Sequence, residues 1–182
     1  MGFPLWKNVV PMPVTTKTGD KGLTGLFTGE RIIKNSPIME ANGTIDELDS
    51  FIGEAKHYVP DEMVEILEKV QVQLYDLMAE LASRGKYSKV GDEEIRWLEE
   101  LTKRYEEELQ LRAFVLPGST VASAKLDVCR AIARRAERKV ARLYLEVGIG
   151  EKALVYLNRL SDLLFVMARL IEKREGKLKE VK

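Results

Sequence analysis

The chain is poor in the residues that most often carry protein-built chemistry. It has one cysteine, Cys129, and one histidine, His57. A single cysteine excludes an intrachain disulfide and fits a reducing, cytoplasmic setting. One thiol and one imidazole cannot assemble a zinc, haem or iron–sulfur site. No nucleophile stands near His57 in sequence for a Ser-His-Asp or Cys-His arrangement, and the Glu-x-x-His pairs of di-iron bundles are missing. No apolar run approaches the ~20 residues of a membrane span, and the N-terminal residues do not read as a signal peptide. An excess of charge of one sign is also missing, since 29 basic residues balance 29 acidic ones. A dedicated nucleic-acid binder usually carries a net basic surplus, so such a partner is disfavoured.

What is present is globular. Hydrophobic residues make up 45% of 182 residues and charged ones 32%, enough for one domain with a proper core. The abundance of Lys, Arg and Glu beside few Cys and His points weakly to a thermophilic source. Residues 1–36 contain an extended arm (Pro4, Pro11, Pro13) followed by Thr15 to Arg31. Within 15–29 stand four glycines, five threonines and two lysines, a poor helix and an irregular strand. Glycines let backbone N–H groups approach a ligand, and threonine hydroxyls and lysine ammoniums add donors, so the composition suits a phosphate cradle. A flexible surface loop would have the same composition. The glycine spacing matches neither a Walker A loop nor a dinucleotide-binding fingerprint. Arg31 and Lys34 extend its positive charge.

From residue 37 to 172 apolar residues recur at helical spacing. Ser36 and Pro37 open a first helix with Ile38, Ala41, Ile45, Leu48, Ile52 and Ala55 inward, to about Tyr58. Asp61 is expected to cap a second, running to about Gly85; Gly91-Asp92 starts a third. A break at Phe114 to Ser119 precedes a fourth, capped by Ser119 or Thr120 and ending near Val147. A fifth runs from Glu151, followed by a charged tail, 173–182, expected to fray. Short connections predict an all-α, five-helix antiparallel bundle, with an extended glycine-rich loop at its N-terminus.

The fourth helix is the unusual one. Arg130, Arg134, Arg138 and Arg142 recur every fourth residue on one face, while Val128, Ile132, Val140 and Leu143 mark a core edge. Like charges at that spacing repel by about 0.2–0.5 kcal/mol per pair. An anionic ligand would relieve this, although a solvated basic face remains the plain alternative. Positive charge on a loop and a helix suits positioning and electrostatic stabilisation of polyphosphate.

Four stretches carry a family resemblance. Thr16 to Gly22, with Phe27 to Arg31, resembles the opening motif of the PduO-type ATP:cob(I)alamin adenosyltransferases. Gly43 to Leu48 resembles their second motif, Leu116-Pro117-Gly118 with Cys129 to Arg138 the third, and Leu157 to Asp162 the fourth. The ordered set is specific and spans residues 16–162.

The resemblance implies a homotrimer with ATP bound between subunits, cobalamin as second substrate and magnesium as cofactor. It implies attack of cob(I)alamin on the 5′ carbon of ATP. The cobalt is then the nucleophile, which accounts for the missing protein nucleophile. By the same resemblance ATP is bound by Thr16, Lys17, Thr18, Gly19, Lys21, Thr24, Gly25 and Lys34, with Arg134, Arg135, Glu137, Arg138 and Asn158. Lys21 and Arg134 act on the leaving triphosphate, and Glu137 is a candidate for the ribose or for the magnesium shell. Asp46 and Arg130 match a pair joining neighbouring subunits. Phe114 matches an aromatic that displaces the lower axial base of cobalamin. A cobalamin reductase and an adenosylcobalamin-dependent enzyme are the protein partners such a reaction implies. Ser119 departs from the family's second glycine after the proline. A non-catalytic ATP-sensing regulator is the alternative function.

Overall fold

In a computed structural model, residues 15–26 and 28–181 are described. The proline-bearing arm and Phe27 lie outside them. Five helices account for most of the chain: α1 (Pro37–Ala55), α2 (Asp61–Ala82), α3 (Asp92–Leu109), α4 (Val121–Val147) and α5 (Glu151–Arg174). The connections are 56–60, 83–91, 110–120 and 148–150, so α1–α2 and α4–α5 form helical hairpins. α4 packs on α5 and α1, and α5 also packs on α3.

The apolar stripes read from the sequence are the core: Ile45, Leu48, Ile52, Met63, Leu67, Leu74, Leu98 and Leu126 are fully buried. Val128 does not join them. It is 41% exposed, and nearby Val121 and Leu116 are exposed as well.

The helix ends follow local chemistry. Ser36 holds the N-cap position of α1 before Pro37, yet its side chain makes no capping hydrogen bond. Asp61 is the first helical residue of α2 and not its cap, a position occupied by Pro60. Its carboxylate instead suits the positive end of the helix. Of the two candidates for α4, Thr120 is the cap: its Oγ1 accepts the Ser123 N–H at 3.0 Å. Between α4 and α5, Gly150 has φ +90°, and a Cβ there would lie 2.9 Å from Leu81 Cδ2 and 3.0 Å from Val140 Cγ1. The turn closes tightly only with glycine.

Two expectations need correction. The glycine-rich loop is partly ordered as a hairpin, β1 (Leu23–Gly25) antiparallel to β2 (Arg31–Ile33), with Thr24 opposite Ile32. The charged tail is paired rather than frayed. Leu116 N–H donates to the Lys179 carbonyl at 2.9 Å and Val181 N–H to the Phe114 carbonyl at 2.7 Å, joining it to the 110–120 connection. Backbone hydrogen bonding to a second extended segment, which periodicity does not reveal, holds both pieces.

Candidate active site

The ladder on α4 resolves into two kinds of arginine. Arg130 Nε lies 3.2 Å from Asp127 Oδ1, and Arg142 Nε lies 2.7 Å from Glu146 Oε1. Arg135 pairs with Glu47 of α1, away from Arg134. Arg134 and Arg138 form no ion pair among the described residues. Among the described residues Arg138 Nη1 donates to the Arg134 carbonyl, at 3.1 Å. The repulsion is thus answered at both ends of the ladder and left open in the middle.

Beside these two, Asn158 of α5 donates Nδ2–H to Glu137 Oε1 at 3.0 Å, and Arg159 donates to Asn158 Oδ1 at 2.5 Å. The amide is thereby oriented by one neighbour and orients the other. Burial pushes the Asp162 carboxyl up; Arg159 draws it down, Glu137 adds to the rise and Arg134 opposes it.

Arg130 and Arg134 line a cleft of about 310 Å³ with Thr102 and Glu106 of α3 and Ser161, Asp162 and Phe165 of α5. Phe165 continues into an apolar hollow formed with Leu111, Arg112, Ala113, Phe114 and Val115. The two border each other at Phe165 and together make a trough from Arg130 and Arg134 to Phe114, which is 89% exposed and so no core residue of this chain. Phe165 was missed from the sequence. The signal was available, because Asn158, Asp162 and Phe165 recur at i, i+4, i+7 on one face of α5.

The loop lies elsewhere on the molecule. Arg31 Nη2 donates to the Thr18 carbonyl at 2.6 Å, so this cation braces the loop from within. Thr16 and Thr18 hydroxyls are 3.0 Å apart. Lys34, directly after β2, lays its ammonium over Gly19, 3.0 Å from where a Cβ would sit. Lys17, Lys21 and Gly25 are exposed and Thr24 is half-buried. Arg84 clasps Glu30 with two hydrogen bonds, 2.9 and 3.3 Å, and ties the hairpin to the end of α2. None of these loop residues lines the arginine cleft. Asp46 is exposed and makes no ion pair among the described residues, since Arg130 uses Asp127 of its own chain.

Protein chemistry at the site is limited. Cys129 is buried and its thiol is pushed up to about 12 by desolvation, so it is inert. Among the described residues no three Asp, Glu, His or Cys side chains cluster as a metal cage. Glu137 has one carboxylate neighbour, Asp162, too few for a protein-built cage. That suits a magnesium ion held mainly by phosphates and water, with one protein ligand.

A family profile described as cobalamin adenosyltransferase matches residues 14–171. The corrinoid adenosyltransferase PduO of Salmonella typhimurium is 40% identical over 165 residues, 87% of this chain but 49% of that protein. The chain thus spans about half the length of that relative. The Bacillus subtilis corrinoid adenosyltransferase is 40% identical over 173 residues, 91% of this chain and 89% of that protein. The human corrinoid adenosyltransferase MMAB is 38% identical, over 92% of this chain and 72% of its own. Among solved structures, a variant PduO-type ATP:corrinoid adenosyltransferase from Lactobacillus reuteri, complexed with cobalamin and ATP, superposes with a TM-score of 0.87. It is 32% identical, covering 93% of this chain and 97% of that one. With the profile matched over most of its length and relatives near 40% identity, the chain belongs to the cobalamin adenosyltransferase family.

Proposed function

We infer that this chain transfers the 5′-deoxyadenosyl group of ATP to the cobalt of cob(I)alamin, releasing triphosphate. The cobalt(I) electron pair forms the new bond to C5′ while the C5′–oxygen bond breaks, and the triphosphate departs with that bond's electrons. The observation that carries this reading is the trough, bridged at Phe165, that links Arg134, which forms no ion pair among the described residues, to the exposed ring of Phe114. A leaving triphosphate needs fixed positive charge, and a corrin face needs an apolar wedge. An ATP-sensing regulator would have no use for the apolar half of the trough.

Arg134, Arg138 and Lys21 are assigned to the triphosphate, Asn158 and Glu137 to the nucleotide, and Glu137 to an accompanying magnesium. When bound, that ion would neutralise phosphate charge. The loop (Thr16, Lys17, Thr18, Gly19, Lys21, Thr24, Gly25, Lys34) would close over the same triphosphate from a neighbouring subunit. Supporting this, the loop lines no part of its own chain's arginine cleft, and Val121 and Val128, seven residues apart on α4, are both exposed. The assembly proposed is a homotrimer, with Asp46 of one subunit reaching Arg130 of the next. A buried, unpaired cysteine fits the cytoplasm, where a cobalamin reductase would supply the cobalt(I) substrate.

Incubation with ATP, magnesium and chemically reduced cobalamin should yield a light-sensitive adenosylated corrinoid, followed by absorbance. A folded protein that binds ATP without forming this product would overturn the assignment. Sedimentation should give three times the chain mass.

A further inference from the structure

Beneath the 110–120 connection three ionisable side chains are withdrawn from water together. Arg169 and Glu172 of α5 are 1% and 0% exposed, and the Asp127 side chain of α4 is 11% exposed. Arg169 Nη2 donates to Asp127 Oδ2 at 2.5 Å and to Glu172 Oε1 at 3.1 Å. Its Nε lies 2.9 Å from Glu172 Oε2 but out of line for a hydrogen bond. The group does not end there. Asp127 Oδ1 accepts from Arg130 in the cleft, and Glu172 Oε1 accepts the Ser119 backbone N–H at 2.9 Å. A continuous chain of hydrogen bonds therefore runs from Arg130 through Asp127, Arg169 and Glu172 to Ser119.

Glu172 holds the tail as well. Its main-chain carbonyl accepts the Lys177 N–H at 2.7 Å, where the chain turns back toward its pairing with Phe114 and Leu116. One residue thus anchors the Phe114–Ser119 segment at its far end and the strand that flanks its near end. Burying this much charge is no economical route to stability, because well-packed apolar side chains of similar volume generally serve as well or better. What the ionic version adds is direction: a carboxylate oxygen aimed at one particular backbone N–H.

We propose that Arg169 and Glu172 are positioning residues that set the corrin-side segment Phe114–Ser119 relative to Arg130 and Arg134. The proposal rests on the reading that Phe114 faces the corrinoid. It accounts for how the end of that segment is held, through the Ser119 backbone N–H.

The test compares Glu172→Ala, Glu172→Gln and the pair R169M/E172L, which fills the same space without charge. Each is assayed for ATP KM, for corrinoid KM, and for the absorption spectrum of bound cob(II)alamin with ATP, which reports loss of the lower axial ligand. Glu172→Ala and R169M/E172L should raise corrinoid KM at least fivefold and shift the spectrum toward the ligated form, with ATP KM within twofold. Glu172→Gln, which keeps an oxygen for Ser119, should recover most of the loss. If R169M/E172L does not fold, the Ala and Gln variants give the same comparison. Corrinoid KM and spectrum unchanged in folded variants, or both KM values rising together, would reduce the triad to packing and overturn the proposal. Phe114→Ala in the same assays separates the two inferences. If it shifts the spectrum while the Glu172 variants do not, only the positioning role falls. If it too is silent, the corrin-side reading falls and this proposal with it.

Discussion

Asn158 on α5 hands its amide N–H to Glu137 on α4 across 3.0 Å, and Arg159 fixes which way that amide points. A carboxylate held this way has its orientation set by the amide. Outer partners of metal-binding carboxylates typically matter 10–100-fold in affinity. Asn158→Ala should therefore weaken magnesium-dependent ATP binding about tenfold, read by titration with and without the metal. Equal loss in both conditions would place Glu137 on the ribose or the protein instead.

Arg134 is exposed and forms no ion pair among the described residues, so its removal should cost the fold little. Arg134→Ala should lower kcat about 10²-fold, roughly 3 kcal/mol of lost charge stabilisation on the leaving group. Its Tm should stay within about 2 °C of the parent, because surface changes usually fall within ±0.5 kcal/mol. Activity within twofold of the parent would remove Arg134 from the reaction.

The tail should matter to one substrate and not the other. Truncation after Gly176 deletes the strand that bonds Phe114 and Leu116, leaving the helices intact. Corrinoid KM should rise severalfold while ATP affinity holds. Truncation without effect on either would make the pairing incidental.

Stability should carry a signature from Glu80. Burial pushes its carboxyl above the ordinary 4.5, while the Ser88 hydroxyl donating at 2.8 Å draws it partly back. A raised value means that the folded chain takes up this proton more readily than the unfolded one. The contribution is complete below about pH 4.5 and is lost as pH rises through the raised value. Glu80→Gln should hence raise Tm at pH 7 and lose that advantage by pH 4, followed by thermal melts across the range. A gain constant with pH would point to packing instead of charge.

Much of the helical frame was legible because amphipathic periodicity is a local property. Ile38, Ala41, Ile45, Leu48 and Ile52 sit on one face whatever the helix packs against, and all are buried. The capping of α4 was half legible, since Ser119 and Thr120 are equally able in sequence. Only the folded backbone gives Thr120 the extended φ −131°, ψ 162° of an N-cap. Val128 misled because it satisfies the helical period yet, like Val121 seven residues earlier, stays exposed among the described residues.

Residue type and spacing along the chain were enough to settle the helical class, the arginine ladder and the glycine–threonine loop. Each depends on neighbours within a few residues. Which arginines are free was decided in three dimensions, because Asp127, Glu146 and Glu47 claim Arg130, Arg142 and Arg135, and only folding brings Glu47 across from α1. The same holds for Phe165, for the tail laid along Phe114 and for the buried link from Asp127 through Arg169 to Glu172. Those contacts join residues tens of positions apart, and their energies exist only once packing has removed the water between them.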